Sequence, residues 1–228
     1  MNVASTSIAL MKIYLGLGME EQESKNILAS MQLDWQQRTR TKTMNISTTM
    51  VKDSTWNAIR AITTMHSDIK QIVDLLIDDN RINEFDDMVD FIVPLVKVDA
   101  RTAIRRIVCK PIWPTAPRDF IVCTTYTELE DGSVMVCSRS VTDEVFSQQK
   151  GYVRGFVNVS GYYIQRQSSL AENDPSYADC PVNGCKITLT AHTELGGFLP
   201  SSVINMLSTG APLKILTAVD GIVSSKQK

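Results

Sequence analysis

The sequence predicts an α+β domain in which a curved, antiparallel β-sheet grips a long C-terminal helix. Six successive β-like stretches joined by short turns call for antiparallel pairing, because parallel pairing needs long crossovers. Helical patterns on both sides of this run of strands require helices to cover one face of the sheet. A chain of 228 residues, 43% of them hydrophobic, builds one sizeable core and leaves no room for a second full domain.

Along the chain, residues 20–33 carry Ile27, Leu28 and Met31 at helical spacing, and 35–51 is Thr-rich and strand-like. Trp56, Ala58, Ile59 and Ile62 place a strand at 53–64. Ser67 reads as an N-cap ahead of Ile69, Ile72, Val73, Leu76 and Ile77, whose i, i+3, i+4 spacing predicts a helix over 67–79. The six β-like stretches follow at 88–98, 102–110, 119–129, 133–141, 152–164 and 185–194, and Asp131-Gly132 marks a hairpin turn between two of them. In the closing helix Val203, Ile204, Leu207, Ala211, Ile215 and Val219 share a face. Pro200 suits its first turn, and Gly210 and Pro212 should bend or interrupt it. The expected organisation is a single domain over 1–228: an N-terminal helical segment at 1–34, a sheet with two inserted helices at 35–198, and the last helix at 199–223.

Lys and Arg number 23 against 25 Asp and Glu, a net charge of −2 with no basic run, which argues against nucleic acid as a partner. Cys109, Cys123, Cys137, Cys180 and Cys185 form an odd set without a CxxC pair, and only two histidines accompany them. This composition points to a reduced, intracellular setting with no metal or other cofactor; Cys180 and Cys185 are near enough in sequence to bridge a loop, but that compartment disfavours it. Residues 1–18 are apolar apart from Lys12, lack a basic n-region and are short for a membrane span, so a packing helix is expected there.

The segment Trp113-Pro114-Thr115-Ala116-Pro117-Arg118-Asp119-Phe120 resembles the WP-x-x-x-RDF signature of START (StAR-related lipid-transfer) domains. Tyr152-Val153-Arg154-Gly155 resembles their VR motif, and Cys185-Lys186-Ile187-Thr188 with Gly196-Gly197-Phe198-Leu199-Pro200 resembles their last strand and the entry to their final helix. Three motifs in this order cover about residues 53–220. The resemblance implies a helix-grip carrier that encloses one lipid in an internal tunnel, performs no covalent chemistry, works in the cytoplasm, touches membranes transiently and acts as a monomer.

By motif the chain is most similar to the ceramide-transfer members of that family, whose polar head-group contacts carry over as follows. Their tunnel acid matches Asp86 and their amide-binding Asn matches Asn158, whereas their glutamine falls on Ile107 and their tyrosine on Leu189. Sterol carriers of the family hold an arginine where this chain has Thr124. A ceramide- or phospholipid-like ligand is therefore expected ahead of a sterol. Arg105 shares the strand face of Ile107 and Cys109, and a buried guanidinium there needs an acid, for which Asp86 is the candidate. Trp113 and Phe198 match membrane-contacting positions, Gly210 and Pro212 fall where the final helix would gate the tunnel, and Arg118 and Asp119 read as a structural lock rather than a catalytic pair. Two other classes compete. A lipid sensor would use the same cavity, and an enzyme would need acid–base groups such as Asp86, His192 or Arg105, without any evident Ser–His–Asp or Cys–His set.

Overall fold

The computed structural model describes residues 33–41, 43–142, 146–166, 184–200, 203–204 and 206–225. The N-terminal segment expected to be helical lies almost wholly outside these residues, as does Cys180. Ten strands form one sheet: β1 (Gln36–Arg40), β2 (Met44–Thr49), β3 (Ala58–Met65), β4 (Val89–Lys97), β5 (Thr102–Cys109), β6 (Arg118–Glu128), β7 (Val134–Ser140), β8 (Val153–Arg154), β9 (Phe156–Arg166) and β10 (Cys185–Glu194). Their order is β1-β2-β3-β10-β9-β7-β6-β5-β4, with every neighbouring pair on this path antiparallel, and β8 joins β6 in parallel off this path.

Among the described residues the sheet is accompanied by α1 (Ile69–Leu76), α2 (Ile82–Phe85) and α3 (Ala211–Ser225). The N-cap of α1 is Asp68 and not Ser67, and its side chain makes no capping hydrogen bond; Ser67 is itself buried. The Asp131-Gly132 hairpin is a three-residue loop. Gly132 donates to Leu129 O at 2.9 Å, adopts φ 74°, and hands the chain back to Ser133, whose carbonyl accepts from Leu129 N at 2.8 Å. The stretch expected as one strand at 152–164 divides at Gly155, whose N–H donates to Asp119 O at 2.9 Å. A Cβ on Gly155 would stand 2.2 Å from the Phe120 ring, so this crossing point between β8 and β9 has room only for glycine.

The inner face of the sheet, the one that holds the helices, carries the main core. Met44, Ile46, Ala61, Met65, Ile187 and Leu189 from the β2-β3-β10 end pack against Ile69 and Ile72 of α1, Phe85 of α2, and Leu216, Val219 and Val223 of α3. The buried stripe of α3, at Pro212, Leu216, Val219 and Val223, follows the i, i+4, i+7, i+11 spacing of one helix face. By length and composition Met206–Ser225 could also cross a membrane, but that stripe is packed inside the domain. Each fully buried aliphatic side chain contributes about 1.5–3 kcal/mol.

Pro212 accounts for how α3 begins. Proline has no N–H to offer a carbonyl four residues back and its ring crowds that carbonyl, so the expected bend at Gly210 and Pro212 takes the form of a π-helical turn over Met206–Gly210.

On β10 the alternation of Cys185, Ile187 and Leu189 with Thr188, Thr190 and His192 predicts an apolar inner phase and a solvent-facing polar one. The apolar residues do face inward, but Thr188, Thr190 and His192 are all buried. The outer face carries its own apolar cluster, Val51, Ala58, Met135, Cys137, Val159 and Tyr163 with Leu33, Trp35 and Leu129 against it, so the middle of the sheet is shielded on both sides.

Candidate functional site

Burial on β5 and part of β9 departs from what a filled core gives, although inner-face Phe120 and Val122 of β6, Val136 of β7 and Ile164 of β9 are buried. On β5 the outward-facing Arg106 and Val108 are 7% and 1% exposed, whereas Ala103, Arg105, Ile107 and Cys109 on the inner face are only partly buried. On β9 the outer Val159, Gly161 and Tyr163 are buried while the inner Ser160 and Tyr162 are not. Two of these inner groups nonetheless behave as desolvated: burial first, and then the negative charge of Asp86, push the Cys109 thiol up to about 12 and the Tyr162 phenol well above its ordinary range.

Asp86 closes α2. Its Oδ1 accepts the Met88 N–H at 3.1 Å, and the Lys110 N–H donates to Met88 O at 2.9 Å, which seats the acid beside Cys109, itself paired with Val89. Burial raises the Asp86 carboxyl above its usual range, against the pull of those backbone donors. The expected Arg105–Asp86 pair does not form. Arg105 Nε lies 2.9 Å from Asp79 Oδ1, in the turn after α1, with its N–H not aimed squarely enough for a hydrogen bond. Asp86 lies instead at the Cys109 end of β5, four residues farther along the strand.

The remaining residues expected in the tunnel scatter around this wall. Ile107 packs with Phe120, Val122 and Val157, and Leu189 belongs to the main core opposite Tyr162 on β9. Thr124 and Ser138, in register on β6 and β7, share a hydroxyl hydrogen bond of 2.8 Å. Asn158 is the extra residue of a β-bulge between Val157 and Val159, and its Nδ2 donates to Glu194 Oε1 at 3.0 Å. Simple alternation puts Asn158 on the inner face; the bulge breaks that alternation. His192 lies on the outer side, 3.0 Å from Ser54 Oγ, and burial lowers its pKa.

A cavity of about 530 Å³ lies between Ile59, Ala191 and Thr193 of the sheet and Phe198, Leu199 and Leu207. Two aromatic side chains stand out from this rim, Trp113 at 89% and Phe198 at 86% exposed. Arg118 ties their loops together. Its Nη1 donates to Thr115 Oγ1 and Ala116 O on the Trp113 side, and its Nε and Nη2 reach Leu195 O at 3.4 Å and Gly196 O at 3.5 Å on the Phe198 side. Gly196 and Gly197 both take left-handed φ values, 61° and 60°, against Val153 and Arg154, a path that side chains would strain.

Behind this rivet Asp119, 0% exposed, accepts from Arg106 Nε at 2.8 Å and from Arg154 Nε and Nη2 at 2.9 Å each. Burial alone would push its carboxyl up, but the hydrogen bonds and charges of Arg154 and Arg106 hold it below the usual carboxylate range. The sequence reading missed Tyr162 and Asp79. Tyr162 was recoverable from its phase with Ile164, whereas the pairing of Asp79 depends on where two helices land.

Among the described residues no cluster of His, Cys, Asp and Glu could hold a metal. By sequence the chain has no significant match among curated proteins. Solved structures share its fold: human StAR-related lipid transfer protein 5 (TM-score 0.74, 16% identity, covering 98% of this chain and 100% of that one) and human STARD10 (0.69, 17%, 90% and 80%). A STAR-related lipid transfer protein from Xanthomonas axonopodis is similar too (0.66, 19%, 83% and 98%). The profile of the START domain matches residues 18–221, most of the chain, and the chain belongs to the START-domain family.

Proposed function

We propose that this protein carries one lipid molecule against the inner wall of its sheet and passes it between membranes, with a ceramide- or phospholipid-like ligand ahead of a sterol. The observation that carries the reading is the partial exposure of inner-face residues on β5 and β9 beside buried outer ones, since an inner face left incompletely packed within a domain leaves room for an occupant. The exposed Trp113 and Phe198 beside the cavity mouth supply the means of visiting a bilayer, at about 1.5–3 kcal/mol per inserted ring, enough for transient contact. Thr124, at the place of the sterol carriers' arginine, is already paired with Ser138, which supports the preference over sterol. The protein would work in the cytoplasm as a single copy, without nucleic acid.

Catalysis has no support in the site: His192 is on the outer face with Ser54, away from the wall that holds Asp86. One observation favours a second reading, a lipid sensor. The π-helical turn at Met206–Gly210 borders the cavity through Leu207 and Ser208, so occupancy could alter how α3 begins.

Native mass spectrometry after exposure to a mixed cellular lipid extract, followed by a vesicle-to-vesicle transfer assay, tests both readings. A carrier retains one lipid and accelerates its exchange, a sensor retains it without accelerating exchange, and a protein that stays empty across all lipid classes overturns both.

A further inference from the structure

Exposed apolar side chains are common singly, and their placement decides what they mean. Among the described residues three large apolar side chains are far more exposed than the rest: Trp113 at 89%, Phe198 at 86% and Met50 at 82%, with Val98 next at 56%. The strand registers put all three at one end of the sheet. β3 starts where β10 ends (Ile59 opposite Ala191), β10 ends where β9 starts (Glu194 opposite Phe156), and β9 starts where β7 ends (Ser160 opposite Ser138). The end of β7 meets the start of β6 (Ser140 opposite Val122), which meets the end of β5 (Asp119 opposite Val108). The β2–β3 loop with Met50, the segment after β10 with Phe198 and the β5–β6 loop with Trp113 therefore leave the sheet on the same side, whereas Val98 follows the far end of β4.

Met50 is held outward by its neighbours. Thr49 pairs with Ala58, and Val51 is buried in the outer cluster. Ser54 N–H donates to Val51 O at 3.2 Å, Trp56 N–H donates to Ser54 Oγ at 3.1 Å, and His192 Nε2 lies 3.0 Å from that hydroxyl, which fastens the loop to itself and to β10. Thr55, Trp56 and Asn57 of the same loop line the cavity that Phe198 borders. From this arrangement we infer that the β2–β3 loop is a third membrane contact, with Met50 entering the bilayer alongside Phe198 and Trp113 and extending the footprint across the cavity. The inference rests on the carrier reading and adds to its membrane step. β3 and β6 are four strand spacings apart, about 19 Å along the sheet, so one small apolar pocket on a protein partner does not reach both Met50 and Trp113, whereas a fluid apolar layer does. Lys52 and Asp53 beside Met50 carry opposite charges, so the contact draws on apolar transfer and not on anionic lipid.

The test measures sedimentation of the full chain with phosphatidylcholine vesicles. Met50→Ser should bind about tenfold more weakly than wild type, with Tm unchanged and one lipid still retained in native mass spectrometry. Val98→Ser, at the opposite end, should bind as wild type does. If Met50→Ser binds normally while Trp113→Ala with Phe198→Ala binds weakly, the third contact is overturned and the carrier reading stands; a wild-type protein that neither binds vesicles nor transfers lipid overturns both. Loss of the retained lipid in Met50→Ser would make Met50 a cargo contact and overturn the inference, as would an equal loss of binding in Val98→Ser. The same tenfold loss is expected when the vesicles include phosphatidylserine, and a loss confined to those vesicles assigns it to charge and overturns the apolar contact. Met50→Trp gives a check that survives poor folding of Met50→Ser: the larger side chain should tighten vesicle binding several-fold, and unchanged binding refutes insertion at this position.

Discussion

Replacing Asp119 with Asn keeps the shape of the side chain and removes its charge, leaving Arg106 and Arg154 facing each other across a neutral group. Arg154 is one-quarter exposed and can turn toward water, but Arg106 is sealed in, with its Nη2 already unpartnered and its guanidinium 5.0 Å over the Tyr152 ring. Breaking a buried ion pair by deleting one partner typically costs about 3–5 kcal/mol, and the escape route of Arg154 places this case near 3. For a chain of this size the corresponding fall in Tm is roughly 6–12 °C by calorimetry at neutral pH. The pH dependence gives a second check. Because the folded carboxyl of Asp119 is depressed, its contribution is fully present above the ordinary carboxylate range and is lost as pH falls through the folded value. The gap between wild type and Asp119→Asn should therefore narrow as pH drops from about 7 toward 3. A Tm change under about 2 °C, or a gap that stays constant over that range, would refute the claim that this carboxylate is the electrostatic anchor of β5, β6 and β8.

Other perturbations address the rim and Asp86. Trp113→Ala combined with Phe198→Ala should leave Tm unchanged, since both rings are solvent-exposed, while vesicle binding in a sedimentation assay falls by about tenfold or more. Arg118→Ala removes the hydrogen bonds between the two aromatic loops and should lower stability by about 1–3 kcal/mol in denaturant titrations. It should also slow transfer with Trp113 and Phe198 intact, and an unchanged transfer rate would show that the loops need no common anchor. Asp86→Asn retains the oxygen that accepts from Met88. The raised carboxyl of Asp86 burdens the folded state above that carboxyl's pKa and not at low pH, so the variant should be more stable than wild type near neutrality, by an amount that vanishes in acid, while binding less lipid.

The strands were legible because their hydrophobic alternation and turn residues are local. The expected stretch at 185–194 coincides with β10, and the edges of β4 to β7 fall within a residue of those expected. The failures came where a distant contact decides. The strand expected at 152–164 splits at Gly155 because the Phe120 ring occupies the space beside it. Asn158 leaves its phase because of a bulge against β10, and Arg105 meets Asp79 because the turn after α1 brings that acid within 2.9 Å. Thr188, Thr190 and His192 read as solvent-facing because alternation tells which residues share a face, not whether that face is covered. The motif around Trp113 to Phe120 exposed the rim and its buttress from sequence; the internal charge balance depended on helix placement and was hidden.

The reversed burial of β5 has a consequence for how such a protein can be improved. Its strength resides in the outer shell and in the helix end of the sheet, while the small inner-face residues Ala103 and Ser160 are only partly buried. Larger apolar residues at those points would add contacts and raise the melting temperature of the empty protein, as filling a cavity generally does. Each gain would take space from the cargo. Variants of this chain selected only for thermal resistance would drift toward solid, well-behaved domains that carry nothing.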